Sequence, residues 1–303
     1  MLDFKQITAN DKAAYEHFLL DGSERGCNFS FANLYLWGRQ NATVYKDHLV
    51  LFSHFNCRSV YPFPVGTGDK KPVLDAIIAD AKERKIPCRL IGLREADKQT
   101  LEELYPGKFR IHCDRDSYDY VYDIDALADL RGRKYHSKKN HYNRFLENNP
   151  NYRVSPIDED NLSIVRSLAA EWYDARLKEV PDSDFQMEQV ALERALSHYK
   201  ELELEGLVLF CCEEAVAFTM ASKAMANTLD VHFEKAKAGV DGAYTAINCE
   251  FAKYIREKYP EVRFLNREED MGIEGLRKAK LSYHPHHMVT RDWACLTEDG
   301  YDY

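Results

Sequence analysis

The feature that most constrains this chain is an order of apolar periodicities that can be read twice. In the second half, Tyr152 to Asp158 reads as a strand. Asn161 to Lys178 places Leu162, Val165, Leu168, Ala169 and Trp172 on one helical face, and Asp184 to about Lys200 predicts a second helix. Leu207 to Cys212 and Val216 to Ser222, separated by Glu213, Glu214 and Ala215, predict a hairpin that leads into a third strand, Leu229 to Glu234. Ala243 to Lys258 repeats Ile247, Phe251, Tyr254 and Ile255 at helical spacing until Pro260 stops it. Val262 to Leu265, one more helix and one more strand finish the chain.

The first half gives the same order. Phe4 to Ile7, a helix from Asp11 and a segment around Phe31 to Trp37 precede strands at Ala42 to Tyr45, Leu49 to Ser53 and Arg58 to Tyr61. A helix from Lys70 to Lys85, strand Arg89 to Ile91, a helix to Leu104 and strand Phe109 to Cys113 follow. Leu93-Arg94-Glu95-Ala96-Asp97 then sits after its strand as Asn266-Arg267-Glu268-Glu269-Asp270 sits after the equivalent one. The expected fold class is α/β, a mixed α+β sheet with helices on its faces, built twice. With 303 residues and 45% hydrophobic side chains, two cores of ordinary size are expected. The expected division is a domain at 1–127, a basic linker helix at 128–150 and a domain at 151–303.

No run approaches the roughly 18 to 20 apolar residues of a membrane span, and Met1 to Lys5 lacks the pattern of a secretory signal, so a cytoplasmic address is expected. The eight cysteines are scattered, with no zinc-like or Cys-x-x-Cys spacing, and read as reduced, buried thiols. His284, His286 and His287 are interrupted by Pro285 and have no carboxylate spaced to join them, and no metal site is expected.

Net charge is −9, yet Arg131, Arg133, Lys134, Lys138, Lys139 and Arg144 give six positive charges and no acid within fourteen residues. As a helix from about Arg133, this segment puts Tyr135, Tyr142 and Leu146 on one side and Arg133, Ser137, Asn140 and Arg144 on the other. Lys138 and Lys139 flank the aromatic stripe, with stems packed and heads free to reach an anion. Arg, Lys, Ser and Asn donors in this mixture suit phosphate. A solvated linker helix has the same composition, and the sequence leaves both readings open.

A second candidate is the loop Asn266, Arg267, Glu268, Glu269 and Asp270, at the carboxyl end of a strand where ligands bind in open α/β sheets. Glu268 or Asp270 can take a proton from an attacking amine or hydroxyl, and Lys278 and Lys280 can stabilise an oxyanion. An acidic loop capping a surface helix explains the same residues. His232 beside Glu234 is a third candidate, although a lone strand histidine is more often a satisfied core residue. The turn Pro64 to Gly68 reads as a plain loop.

The stretches Arg133-Lys134-Tyr135-His136-Ser137-Lys138-Lys139-Asn140-His141, Asn266 to Asp270 and Gly275-Leu276-Arg277-Lys278-Ala279-Lys280-Leu281-Ser282-Tyr283, with Phe29 to Trp37, resemble the bacterial family related to the C-terminal domain of phosphatidylglycerol lysyltransferase. The resemblance implies two tandem GNAT-like domains, as in the Fem aminoacyltransferases, and transfer of an aminoacyl group from charged tRNA to an acceptor, whether small molecule, peptide or lipid. The residues expected to carry the chemistry are Asp270, Glu268 and Lys278, and the expected substrate contacts are Arg133, Lys134, His136, Lys138, Lys139, Asn140, His232, Asn266, Arg267, Lys280 and Tyr283. Lys235 to Ala243 does not fit the Arg/Gln-x-x-Gly-x-Gly/Ala loop of acetyl-CoA-using GNAT proteins. Charged tRNA is therefore the expected donor ahead of acetyl-CoA, with no cofactor required. A CoA-dependent N-acyltransferase of a small amine and a non-catalytic RNA-binding protein of the same fold are the alternatives.

Overall fold

A computed structural model describes residues 1–20, 24–55, 58–179 and 183–297. Its first half runs β1 (Lys5–Gln6), α1 (Lys12–Leu19), α2 (Phe31–Trp37), β2 (Gln40–Tyr45), β3 (His48–Phe55), β4 (Arg58–Pro62) and β5 (Val65–Gly66). It continues with α3 (Lys71–Arg84), β6 (Arg89–Leu93), α4 (Glu95–Leu104) and β7 (Phe109–His112). Lys46 and Asp47 join β2 to β3 and both adopt left-handed backbone (φ 46° and 58°), as a tight two-residue hairpin requires.

The second half runs β8 (Asp119–Asp123), α5 (Ile124–Asp129), α6 (His136–Asn148), β9 (Tyr152–Pro156), α7 (Leu162–Glu179) and α8 (Ser183–Ser197). After these come β10 (Glu205–Cys211), β11 (Glu214–Met225), β12 (Thr228–Ala236), α9 (Ala243–Lys258), β13 (Phe264–Asn266), α10 (Glu274–Leu281), β14 (His287–Val289) and β15 (Asp292–Leu296). The expected Glu213-Glu214-Ala215 turn is corrected: Cys211 pairs with Glu214, so Cys212 (φ 55°) and Glu213 alone make the turn. The basic helix is also shorter than expected, because Arg133–Tyr135 forms a 3-10 turn and the α-helix begins at His136.

The two sheets have the same order. One reads β1-β2-β3-β4-β6-β15-β7, with β5 on β3; the other reads β9-β10-β11-β12-β13-β8-β14. Each contains a parallel pair, β4 with β6 and β12 with β13, whose strands are joined by a crossover helix, α3 or α9. The chain is thus a tandem repeat of one mixed α/β plan. Compactness does not follow chain order, however. One unit comprises Met1–Asp119, Glu269–Ile273 and Met288–Tyr303; the other comprises Tyr120–Glu268 and Glu274–His287. The sixth position in each sheet is filled from the far half of the sequence, by β15 in one and by β8 in the other. The two strands following Leu281, β14 and β15, replace the single terminal strand expected, and β8 was not anticipated at all.

The first unit packs Val50, Tyr61, Phe63, Leu74, Ile77, Leu90 and Leu93 into one core under α3. The second buries Val208, Phe218, Met220, Phe233, Ile247, Phe251 and Leu265 about the central strands and α9. The segment expected as a linker helix, α6, belongs to the second unit. Its Tyr135 packs with Leu130 and Cys249, with Tyr142 against the same cluster, so the aromatic side is buried as its spacing predicts. Gly242 permits this approach. It caps α9 with left-handed backbone (φ 79°), and a Cβ there would meet the His141 carbonyl at 2.5 Å. Cysteines 27, 88, 249 and 295 are buried thiols, but Cys113 and Cys212 are exposed, contrary to expectation; Cys57 lies outside the described residues. No helix among the described residues is long and apolar enough to cross a membrane.

Candidate functional site

In the second unit, β12 and β13 pair only from Thr228↔Phe264 to Asp230↔Asn266. Beyond that point β12 continues to Ala236 against β11 alone. The parallel strands therefore part at their carboxyl ends, where backbone groups and side chains become available to a ligand. His232 and Glu234 lie on the continuing strand; Arg267 and Glu268 follow the strand that ends. Glu268 has a left-handed backbone (φ 56°), and its N–H donates to Asn266 Oδ1 at 2.8 Å. Asn266 is thus a buried brace for the turn.

Two cations converge beside this split. Arg267 Nη2 donates to Glu234 Oε1 at 2.7 Å, and Asn248 Nδ2 donates to the other oxygen of that carboxylate at 3.2 Å. The guanidinium lies 5.0 Å from the Tyr283 ring centroid and 5.6 Å from that of Tyr122. Lys138 reaches the same Tyr283 ring from α6, with Nζ 4.0 Å from the centroid. Burial is the largest effect on Arg267 and works against its charge, yet Glu234, Tyr122 and Tyr283 together hold its pKa above the ordinary value. Lys138 goes the other way. Burial, and then repulsion from Arg267, lower its pKa, and Glu234 offsets this only in part. Burial also raises the Tyr283 phenol, whose OH donates to Thr245 Oγ1 at 3.4 Å.

The arrangement is under-neutralised. Lys138 and Arg267 share one close carboxylate, Glu234, and the buried Arg267 Nη1 has no hydrogen-bond partner among the described residues. A buried donor left unmade costs about 1–3 kcal/mol, more when charged. Such a cost is recovered when an anion binds, and an oxyanion or phosphate has the charge and acceptors to do so.

Around this pair, Lys280 Nζ donates to the carbonyl oxygens of Arg267 and, at 3.0 Å, Glu268, closing the turn from α10. Tyr122 OH donates to the Lys280 carbonyl at 2.8 Å. Lys280 therefore positions the loop backbone. Lys278 is exposed on the same helix. His232 is buried, with Nε2 2.8 Å from Ser222 Oγ and Nδ1 3.4 Å from Glu268 Oε1 and 3.6 Å from Asp230 Oδ2.

The basic stretch divides by role. Lys138 is half-buried in the cation cluster, whereas Arg133, Lys134, His136, Lys139 and Asn140 are exposed. Arg144 pairs with Asp241 at 3.2 Å, and the Lys134 carbonyl meets His284 Nε2 at 2.9 Å. Asp270 groups with the first unit. Its side chain is fully buried, accepting from Gly272 N–H at 2.9 Å and lying 3.5 Å from Arg115 Nη1. Those contacts fix a turn. Sequence reasoning passed over Glu234's part as the partner of Arg267, and over Asp230 and Ser222. The strand period was the available signal for two of them, since Asp230 and Glu234 flank His232 at the two-residue spacing that shares a sheet face.

The solved structure of a conserved protein of unknown function from Bacteroides thetaiotaomicron is 38% identical, with a TM-score of 0.92 over 98% of this chain and 100% of that one. L-PGS from Bacillus licheniformis is 14% identical with a TM-score of 0.68, covering 100% of this chain and 95% of its own. FemX is 11% identical with a TM-score of 0.63, covering 97% of each chain. At those identities the likeness is one of fold. An uncharacterised protein of Mycoplasmoides gallisepticum is 20% identical over 176 residues, 58% of this chain and 55% of that protein, so the chain spans about half the length of that curated relative. The model of the family described as phosphatidylglycerol lysyltransferase, C-terminal, matches residues 22–295. With nearly the whole length matched and the two mixed sheets of an acyltransferase-like fold in place, the chain belongs to the phosphatidylglycerol lysyltransferase C-terminal family.

Proposed function

We propose that this protein transfers an aminoacyl group from charged tRNA to an acceptor, with the parting of β12 and β13 as the reaction site. The observation that carries the reading is the under-neutralised pair of Lys138 and Arg267, at the carboxyl ends of the parallel strands. An aminoacyl ester offers an oxyanion when its carbonyl is attacked and phosphates on the adjoining nucleotides, and both need fixed cations in a site of low polarity. Arg267 supplies a planar fork held by Glu234; Lys138 supplies a point charge whose burial makes a bound anion more valuable to it.

The exposed Arg133, Lys134, His136, Lys139 and Asn140 suit the next phosphates along the donor. Glu268 and Lys280 shape the turn beside the reacting ester, and Asn266 and Tyr283 support them. Asp270 and Lys278 are assigned no contact with reacting atoms, because one is enclosed in a turn and the other points to solvent. Family membership and the shared fold support the reaction class.

Filter binding of mixed charged tRNAs tests the proposal. The expected result is binding that weakens with salt and is lost in Arg267→Met, while calorimetry with acetyl-CoA shows no heat. Saturable acetyl-CoA binding with no tRNA binding would establish the CoA-dependent alternative instead.

A further inference from the structure

The polar atoms gathered about Glu234 exceed what the cation pair uses, and we propose that Asn248 and Thr219 select a donor whose acyl group carries a free α-amine. The inference rests on the aminoacyl-transfer reading and names the donor class at that same site. Thr219 stands between Phe218 and Met220 in β11, and Asn248 stands between Ile247 and Cys249 in α9. Both interrupt apolar neighbours in the core, at 0% and 2% exposure. Thr219 is the cross-strand partner of Glu234, so the two side chains share a sheet face. Asn248 meets Glu234 from α9, with Nδ2 donating to Oε2 at 3.2 Å. A carboxylate only accepts, so the NH2 end of the amide is the end at Glu234, and Oδ1 is directed elsewhere.

Neither Asn248 Oδ1 nor Thr219 Oγ1 has a hydrogen-bond partner among the described residues. Arg267 Nη1 has none either, although Nη2 of the same guanidinium holds Glu234 at 2.7 Å. Three neighbours of one carboxylate thus present a pure acceptor, a hydroxyl and a cationic donor, all with unused capacity. For folding alone, apolar side chains at 219 and 248 would avoid the desolvation cost of these unmade bonds. The complement of the set is a carbonyl with N–H groups on the adjoining carbon. The carbonyl accepts from Arg267 Nη1, and the amine donates to Asn248 Oδ1 and Thr219 Oγ1. An aminoacyl ester has that pattern; an acetyl group has the carbonyl alone, and an N-acylated amino acid has one N–H fewer and added bulk. Lys138 and Arg267 already outnumber Glu234 at this place, so a third cation is disfavoured and the amine is taken uncharged. An α-amine ordinarily titrates near about 7.7–8.0, which makes the uncharged form accessible at neutral pH.

A pool of mixed charged tRNAs and the same pool N-acetylated on its amino acids are compared by filter binding to the full chain, with uncharged tRNA as baseline. The parent should hold the free-amine pool more than about tenfold tighter than the acetylated one. Thr219→Val removes a hydroxyl that has no partner among the described residues, so it should keep or raise the melting temperature while reducing the preference by about threefold. Asn248→Leu should bring the preference down to about threefold or less. Binding of uncharged tRNA should stay as in the parent in both. Circular dichroism checks folding, and Thr219→Val keeps the test available if Asn248→Leu, which also takes a donor from Glu234, disturbs the helix. Equal binding of the two pools by the parent, or an undiminished preference in every folded variant, overturns the amine site and leaves the tRNA donor in place. Failure of the parent to bind any charged pool overturns both.

Discussion

The two strand ends that answer to each other in the repeat, after β6 and after β13, differ in what they do with the same letters. In the first unit Leu93 ends the strand, and Arg94 bends back to Asp97, whose carboxylate takes the Arg94 N–H at 3.1 Å and Nε at 2.9 Å. This closes the first turn of α4. Buried Arg25 reaches the same carboxylate at 3.6 Å. Next to it β4 stops at Pro62, but the N–H of fully buried Phe63 still donates to the Ile91 carbonyl at 3.0 Å, so the two strands stay joined one residue further. In the second unit the neighbouring strand continues to Ala236, the arginine reaches across to Glu234 instead of to its own loop, and a lysine from α6 joins it. Duplication preserved the architecture in both copies. In the first, the polar side chains at the strand end bond to one another; in the second, an arginine and a lysine share one close carboxylate.

That contrast is broken most forcefully at the arginines. Arg267→Met should leave Glu234 buried without its ion-pair partner, costing about 3–5 kcal/mol by denaturant unfolding and abolishing aminoacyl transfer. Arg94→Met should remove the Nε and Nη2 bonds to Asp97, which keeps the residue's own backbone N–H and Arg25 as partners, so the cost should be about 1–3 kcal/mol with transfer intact. Phe63→Ala should cost about 3–5 kcal/mol because it empties a packed site, yet the rate per folded molecule should not change. Gly242→Ala should lower the melting temperature, with a cost of about 1–3 kcal/mol from its positive φ and the His141 carbonyl.

Lys138→Met should weaken donor binding by roughly tenfold, the equivalent of about 1.4 kcal/mol. The parent protein should also show a pH signature. The folded-state pKa of Lys138 lies below the ordinary 10.5, so an anion that favours its charged form is bound with proton uptake above that depressed pKa. Donor affinity should therefore fall as pH rises through that value, and the same fall should be absent in Lys138→Met. In the unliganded chain the sign is opposite: the unfolded state binds the proton more readily between the two values, so stability rises with pH across that window. The smallest effect belongs to the exposed Lys139. Replacement by Ala should weaken tRNA binding modestly and reduce the salt slope by about 1.

Much of this was written locally. Alternation and helical spacing carried the order of elements through both halves, because each strand and helix buries one face of its own. The match of Leu93 to Asp97 with Asn266 to Asp270 marked equivalent strand ends correctly. The exchange of β8 and β15 between sheets was not legible, since pairing partners distant in sequence leave no periodic trace. Within the site, Arg267, Lys138 and Tyr283 were named from their motifs, but the partners that decide their chemistry were not. Glu234 holds Arg267 across 33 positions, and Lys138 is desolvated by packing that a charge run cannot reveal. Asp270 was legible as an acid near a strand end; its enclosure by Gly272 and Arg115 depends on three-dimensional packing.

The central claim is that one strand split of the two is the reaction site. Single-turnover loss of the ester-linked amino acid from mixed charged tRNAs, with cell extract as the source of acceptor, tests it in three proteins: the parent, Arg267→Lys and Arg94→Lys. Equal loss is expected with the parent and Arg94→Lys and none above background with Arg267→Lys, whose point charge cannot reproduce the fork that meets Glu234 and the substrate together. Equal rates for both variants, or a greater defect in Arg94→Lys, would contradict it.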